Sequence, residues 1–407
     1  MEPTPRPESA PAEFERYHRE ELPRALAAGR AALVARAARG LAPLAFRLAE
    51  GGAWTYRPTA SGLELVPGDE AAASVLEIER SSWQGLVAEL EAPAGLLYAG
   101  RLRCVRGEGM DVMAWEPALR ALYNGVPPWD AEEAANLQDR RGAPLDPEAT
   151  FTPGSDAADM AHFLATAGYL FVRDVFDAEE VAAFLDEAAQ LATEARHGDK
   201  LSWWCKDAQG EERLCRVTRA ASRPRLGALP RDPRLLSLVA LAEEPLVHGR
   251  GEGDGVTVIW KIPGVREGMG DLPWHRDCGM GGHAVMCPTL ILSVFLTEAS
   301  PESGELVYLP GSTRRSAVQV GDTRDPGAPR GAHFRARPGD VSLHFGDTLH
   351  AAPPPTRDDL DGYRISAVLG FSRPGARHHR GDSSYNAVLH QRADGQIDHL
   401  AKRAERT

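Results

Sequence analysis

The chain has 407 residues, 43% of them hydrophobic, and a formal net charge of −12. That length predicts two or three domains with real cores, and the acidic balance excludes nucleic acid or an anionic membrane as the main partner. Five cysteines, irregularly spaced and without a Cys-x-x-Cys, exclude a disulfide framework and the common zinc patterns and point to a reducing, cytoplasmic compartment.

Residues 1–11 are rich in Pro and Glu without an apolar segment, which predicts a disordered tail and no signal peptide. From residue 12 to about 48, Ala, Arg and Leu recur at helical spacing. Strand-like runs follow at 54–57, 63–66 and 75–78, with turns at Gly51-Gly52 and Pro67-Gly68. Ser82 is placed to cap a helix reaching about residue 90. A strand at 101–105 and a helix near 115–123 complete an α+β domain over 12–125. Pro127-Pro128, Pro144, Pro147 and interleaved charges predict a linker over 126–154.

The second domain, 155–407, opens with a helix at 160–166, a strand at 168–172 and a helix at 178–195. Asp177 is the cap of that helix, with Glu179 and Glu180 in its first turn. A helical patch covers 235–246. Short β-branched runs then follow at 256–262, 289–297, 305–309, 340–345 and 364–371, parted by Gly and Pro. Many short strands of this kind predict a mainly β double-stranded β-helix (a cupin-like jelly roll) with flanking helices. No apolar run approaches membrane-spanning length.

His275 and Asp277 stand two apart, so on a strand both side chains share one face. Two imidazoles and one carboxylate with open positions make the donor set of non-haem Fe(II). The third donor is His350 or His344. His197-Gly198-Asp199 repeats the spacing behind a helix, in a charged stretch, and reads as a chance match. His283 and His333 read as loop or surface residues. Arg364 opens an apolar strand, and its planar fork matches a carboxylate; Ser366 shares its face. Ser293 and Thr289 lie on one face of the 289–297 run, and Lys261 ends the strand before the His-x-Asp pair.

Lys261-Ile262-Pro263-Gly264 precedes Trp274-His275-Arg276-Asp277. Ser303-Gly304-Glu305-Leu306, Pro310-Gly311-Ser312 and Gly339-Asp340 follow before His350, and Gly168-Tyr169 and Arg231-Asp232-Pro233-Arg234-Leu235-Leu236 lie upstream. Together these resemble the phytanoyl-CoA dioxygenase family over residues 155–375. The resemblance implies that His275, Asp277 and His350 bind Fe(II), with 2-oxoglutarate and O2 as cosubstrates. It implies that Arg364 and Ser366 hold the distal carboxylate of 2-oxoglutarate. The spacing from His350 to Arg364 is longer than in relatives, which leaves Arg373 as an alternative. Lys261, Ser293 and Thr289 are further candidates for the cosubstrate.

The implied reaction oxidises a C–H bond of a small, lipid-like or natural-product substrate, releasing succinate and CO2. Desaturation and cyclisation draw on the same chemistry. Related halogenases carry Ala or Gly at the carboxylate position, so Asp277 favours hydroxylation. No catalytic acid or base is implied beyond the metal ligands. Trp274 and Met280, flanking the metal motif, are expected to line the substrate site, with Trp203, Trp204 and Arg216. The stretch that holds those last three, with Arg213 and Arg219, reads equally as a basic solvated loop.

Gly52-Ala53-Trp54-Thr55-Tyr56, Val75-Leu76-Glu77-Ile78, Leu86 and Gly100-Arg101-Leu102 resemble a sterol-carrier-protein-2-like domain. That implies an apolar tunnel for a lipid or acyl ligand; the alternative is an α+β module with a filled core. Two other functions compete with the oxygenase: a cupin-type metal enzyme that does not use 2-oxoglutarate, and a lipid carrier with a degenerate barrel. The abundance of Ala, Arg, Gly and Pro suggests a bacterial source.

Overall fold

The computed structural model describes residues 10–207, 209–249, 255–265, 272–278, 289–318, 328–357 and 364–376. Met280 and His283 lie outside the described residues. The chain divides into two compact units, 10–128 with 315–318, and 129–314 with 328–376.

Unit 1 starts with α1 (Ala10–Arg16), α2 (Leu22–Ala25) and α3 (Ala31–Ala37), joined by π-helical turns at Tyr17–Glu21 and Leu26–Arg30. Gly29, at φ 114°, makes the second break, in a conformation that only glycine adopts without strain. The helical run expected to reach residue 48 ends at Ala37. Leu44–Leu48 is instead strand β1, buried at Leu44, Ala45, Phe46 and Leu48. A central strand covered on both faces reads as a continuous apolar run, which periodicity cannot tell from helix.

β2 (Ala53–Thr59), β3 (Gly62–Pro67), β4 (Ser74–Ile78) and β5 (Leu102–Arg106) complete a sheet in the order β3-β2-β1-β4-β5. Only the β1–β4 pair is parallel. α4 (Arg80–Val87) begins after Glu79, so Ser82 is a buried residue of its first turn and not its cap. α5 (Pro93–Tyr98) was not foreseen; α6 (Asp111–Asn124) contains the expected helix.

Residues 129–154, expected as a linker, belong to unit 2. Asp130 caps α7 (Ala131–Ala135), and Phe151 bridges to Val172. α8 (Ala157–Ala167), β6 (Tyr169–Val172) and α9 (Ala178–Glu194) follow, α9 entered through a capping box between Asp177 and Glu180. The unforeseen hairpin β7 (Ser202–Lys206) and β8 (Glu212–Val217) precedes α10 (Pro233–Val239), shorter than the expected patch, and β9 (Val247–His248).

The chain then alternates between two sheets. β10 (Val256–Lys261), β12 (Thr289–Phe295), β15 (Val341–Phe345) and β17 (Arg364–Ser372) lie in the larger one. β11 (Leu272–His275), β13 (Val307–Tyr308), β14 (Ala332–His333) and β16 (His350–Ala352) form the smaller, in the order β11-β16-β13-β14. The larger runs β6-β15-β12-β17-β10-β8-β7, with β9 on β17. This interleaving is a jelly roll.

Strand alternation gives the larger sheet two unlike faces. Val256, Val258, Leu290, Leu292, Val294, Val341, Leu343, Ala367, Leu369 and Phe371 share one core with Phe163, Leu164, Phe184, Leu191, Leu235 and Leu238 of the helices. Burying each of the Val, Leu and Phe side chains among them contributes roughly 1.5–3 kcal/mol. The other face turns to the smaller sheet, where Tyr308 Oη lies 3.0 Å from Ser342 Oγ. Among the described residues no helix is long and apolar enough to cross a membrane.

Candidate metal centre

His275 ends β11, Asp277 follows two residues on, and His350 opens β16; β11 and β16 pair with His275 opposite His350. Their ligand atoms all lie within 4.8 Å of one another. His275 Nε2 is 3.8 Å from Asp277 Oδ1, and His350 Nε2 is 3.9 Å from Asp277 Oδ2. Each of these two rings is oriented by a backbone carbonyl two residues upstream. His275 Nδ1 lies 2.8 Å from Pro273 O and His350 Nδ1 3.0 Å from Thr348 O. A carbonyl only accepts, so both Nδ1 atoms carry the proton and both Nε2 lone pairs face Asp277.

Burial, then the neighbouring imidazole, pushes His275 and His350 down to about 4, so both are neutral and ligand-ready at pH 7. Burial alone would raise the Asp277 pKa. His350 and the hydrogen bond to His344 outweigh it and hold the carboxyl well below the usual carboxylate range. The cluster thus offers two neutral nitrogens and one anionic oxygen, a donor set that fits Fe(II) with positions to spare.

His344 has a different place. It lies on β15, in the facing sheet, with Nε2 3.3 Å from Asp277 Oδ2. Its Nδ1 is buried and has no partner among the described residues. A hydrogen bond to a carboxylate requires Nε2 to carry the proton, so this ring has the opposite tautomer and no lone pair aimed at the cluster centre. The group whose ligand atoms converge is His275, Asp277 and His350.

The facing wall comes from the inner face of the larger sheet. Directly opposed residues share a face. Lys261 opposes Arg364, and one row runs Arg216, Ile259, Ser366, Phe295; Ser293 opposes both Val368 and Ser342. Arg364 is 3% exposed, and its Nε and Nη1 have no hydrogen-bond partner among the described residues. Burial lowers its pKa to about 10, a fall opposed by Tyr308 and Glu305, and it stays a cation. A buried guanidinium with two unsatisfied donors is costly alone and fits an incoming carboxylate.

Ser366, Ser293 and Thr289 are buried. Lys261 is buried too and donates Nζ to Ala352 O. Gly304, at φ 75°, keeps this corner closed: a Cβ there would meet Pro353 O at 2.8 Å and Lys261 Cε at 2.9 Å.

Trp274 is buried, with the end of its ring beside Gly331, in a stretch of β11 where the register with β16 shifts. Trp203 opposes Arg216 and so extends the row that includes Ser366; it is buried, with the Arg216 guanidinium 4.9 Å from its ring centre. Trp204 stacks on His197 at 4.2 Å, away from the cluster. Arg213 pairs with Asp207 and Glu211, as a solvated hairpin would. Arg373 is exposed and bonds Glu244 at 2.9 Å. The carboxylate of Asp199 accepts from the backbone of Leu201 and Ser202 and serves a turn. His333 bonds Glu305 at 2.6 Å. Sequence reasoning missed Tyr308 and Ser342, which connect the two sheets; alternation from His344 back to Ser342 was the available signal.

A family model described as Phytanoyl-CoA dioxygenase (PhyH) matches residues 164–359. That stretch contains His275, Asp277, His344 and His350 and stops before Arg364. No curated protein matches the chain. Among solved structures, AviO1 from Streptomyces viridochromogenes Tue57 is 22% identical, covering 54% of this chain and 96% of that one at TM-score 0.42. The non-heme alpha ketoglutarate dependent carbocyclase SnoK from nogalamycin biosynthesis is 21% identical, covering 62% and 98% at TM-score 0.46. HygX from Streptomyces hygroscopicus, solved with nickel, 2-oxoglutarate and hygromycin B, is 19% identical, covering 52% and 86% at TM-score 0.39.

Proposed function

We propose that residues 164–359, which match the Phytanoyl-CoA dioxygenase (PhyH) family model, form a domain of the iron- and 2-oxoglutarate-dependent oxygenase class, and that this chain oxidises a C–H bond of a small-molecule substrate. In this reading His275, Asp277 and His350 hold the iron, and Arg364 with Ser366 holds the distal carboxylate of 2-oxoglutarate. The observation that carries it is the pairing of a His-Asp-His cluster with a buried, unsatisfied Arg364 on the wall opposite.

Bound iron, 2-oxoglutarate and O2 supply the oxidising chemistry, with succinate and CO2 released. The chain's own residues bind, orient and exclude water. Pro273 and Thr348 carbonyls set the tautomers of the two imidazoles. Asp277 supplies the anionic donor, and its retention favours hydroxylation over halogenation. Arg364 offers a two-pronged bond to a carboxylate in a dry wall, where charge-assisted bonds are strongest. Ser293 and Thr289 are hydroxyls within that wall. No side chain is assigned as general acid or base.

For unit 1, the carrier-like resemblance supports the finer proposal that the substrate is apolar or lipid-like. Saturable displacement of a fluorescent fatty acid from the full chain is expected; its absence would remove that proposal and leave the oxygenase reading intact.

The test of the function is anaerobic addition of Fe(II) and then 2-oxoglutarate to the purified chain, followed by optical absorption. A weak visible charge-transfer band that needs both is expected. Iron binding with no band would refute 2-oxoglutarate use, and no iron binding would refute the metal centre.

A further inference from the structure

A carboxylate that serves a metal through one oxygen leaves the other charged, and such oxygens are ordinarily hydrogen-bonded. Among the described residues, the side chain within hydrogen-bond distance of Asp277 is His344, whose Nε2 is 3.3 Å from Oδ2. His344 belongs to neither the His-x-Asp motif nor β16. It reaches across from β15, where its position is fixed on several sides. Ile291 of β12 and Tyr169 of β6 oppose it in the sheet. Its ring centre is 4.2 Å from that of His350 and 5.3 Å from that of Tyr308. Tyr308 is itself tied by its hydroxyl to Ser342, one turn of the pleat away on the same strand. The side chain is 3% exposed, so it has little room to choose another rotamer.

Resting on the oxygenase reading, we propose that His344 is a positioning residue: its Nε2–H holds Asp277 Oδ2 and so sets the rotation at which the carboxylate meets the metal. The contrast with the two ligands supports this. His275 and His350 spend their Nδ1–H on backbone carbonyls and keep Nε2 free. Among the described residues, His344 has no carbonyl at Nδ1, and it spends Nε2–H on the carboxylate. The larger sheet thereby braces a ligand that the smaller sheet supplies, and the Asp277 side chain, 38% exposed, is steadied from its buried side.

The experiment is a double-mutant cycle on Ni(II) affinity by calorimetry in the full chain, with His344→Phe, His344→Gln, Asp277→Ala and His344→Phe/Asp277→Ala. Ni(II) binds such donor sets more tightly than Fe(II), which keeps weakened variants measurable. Removing an outer partner of a ligand typically costs about 10–100-fold in metal affinity. His344→Phe is expected to lose that much, and His344→Gln, whose amide can still donate to Oδ2, to recover most of it. In the Asp277→Ala background His344→Phe is expected to change nothing more.

A thermal scan of each metal-free variant separates misfolding from lost positioning. Histidine 15N spectra of the metal-free chain should give His344 the Nε2–H tautomer and His275 and His350 the Nδ1–H tautomer. Undiminished affinity in His344→Phe would overturn the proposal. So would an equal loss with and without Asp277, which would make His344 a ligand in its own right. A wild-type chain that binds no Ni(II) or Fe(II) would overturn the oxygenase reading beneath it.

Discussion

Each unit buries a cluster of histidine and aromatic side chains, and the two clusters differ in what they leave undone. In unit 1, His18 Nδ1 lies 2.7 Å from Phe14 O, His18 Nε2 2.6 Å from Tyr56 Oη, and Tyr56 Oη 2.7 Å from Tyr123 Oη. Both ring nitrogens are satisfied from inside the unit, and Trp54 stacks on the imidazole at 5.2 Å. In unit 2, His275 and His350 leave Nε2 unspent towards a carboxylate, and Arg364 leaves two donors unspent. Buried polar groups are nearly always paired; the His18–Tyr56–Tyr123 bonds are closed, with Trp83 Nε1 beside them left without a partner among the described residues, whereas at Arg364 two donors of one cation stand open. Burial alone does not separate them, because it pushes His18, His275 and His350 all down to about 4.

The contrast predicts that substitutions at the open cluster remove function and spare the fold. Asp277→Ala or His350→Ala should abolish the charge-transfer band and succinate release while the thermal midpoint of the metal-free chain holds. A collapse of folding instead would make these residues structural and erase the contrast. Arg364→Ala comes next: truncating one partner of a buried charge pair costs about 3 kcal/mol, roughly a hundredfold in 2-oxoglutarate affinity, with iron binding retained. Unchanged 2-oxoglutarate affinity in that variant would take Arg364 out of the site. Arg364→Lys keeps the charge but loses the fork, so it should fall between the two.

How much of this was legible depended on whether a residue's neighbours are local. The strand expected at 256–262 and the Asp177 cap follow from spacing along one element, whereas β11 ends at His275, Asp277 lies in the bend beyond it, and His350 comes to His275 where β16 meets β11. Trp274 shows the limit: the register of β11 against β16 shifts between Leu272 and His275, and a spacing rule for regular strands does not foresee such a shift. The buried strand β1 lacked a polar face, so nothing in its own pattern separated strand from helix. The β7–β8 hairpin carries Lys206, Glu212 and Arg213 at the sheet's end, so charge masked its strand character. His344 meets Asp277 across two sheets, a contact that depends on register between distant segments.

The closed cluster predicts smaller effects, on stability alone. His18 has a folded pKa of about 4 against the ordinary 6.5. As pH falls below 6.5 the unfolded chain takes the proton first, so stability is fully present above that value and drains away as pH falls towards 4. The loss between pH 7 and pH 5 is about 2 kcal/mol for this group. Denaturant unfolding of the full chain should show His18→Gln with a flatter pH dependence; an unaltered slope would mean that His18 is not buried neutral. The hydroxyls grade the effect further. Tyr56→Phe strips a partner from both His18 Nε2 and Tyr123 Oη, leaving two buried groups unpaired at about 1–3 kcal/mol each. Tyr123→Phe leaves the His18–Tyr56 bond whole and costs about 1 kcal/mol. Equal losses at pH 7 would mean that the three groups do not act as a chain, and that the line between the two clusters has been drawn in the wrong place.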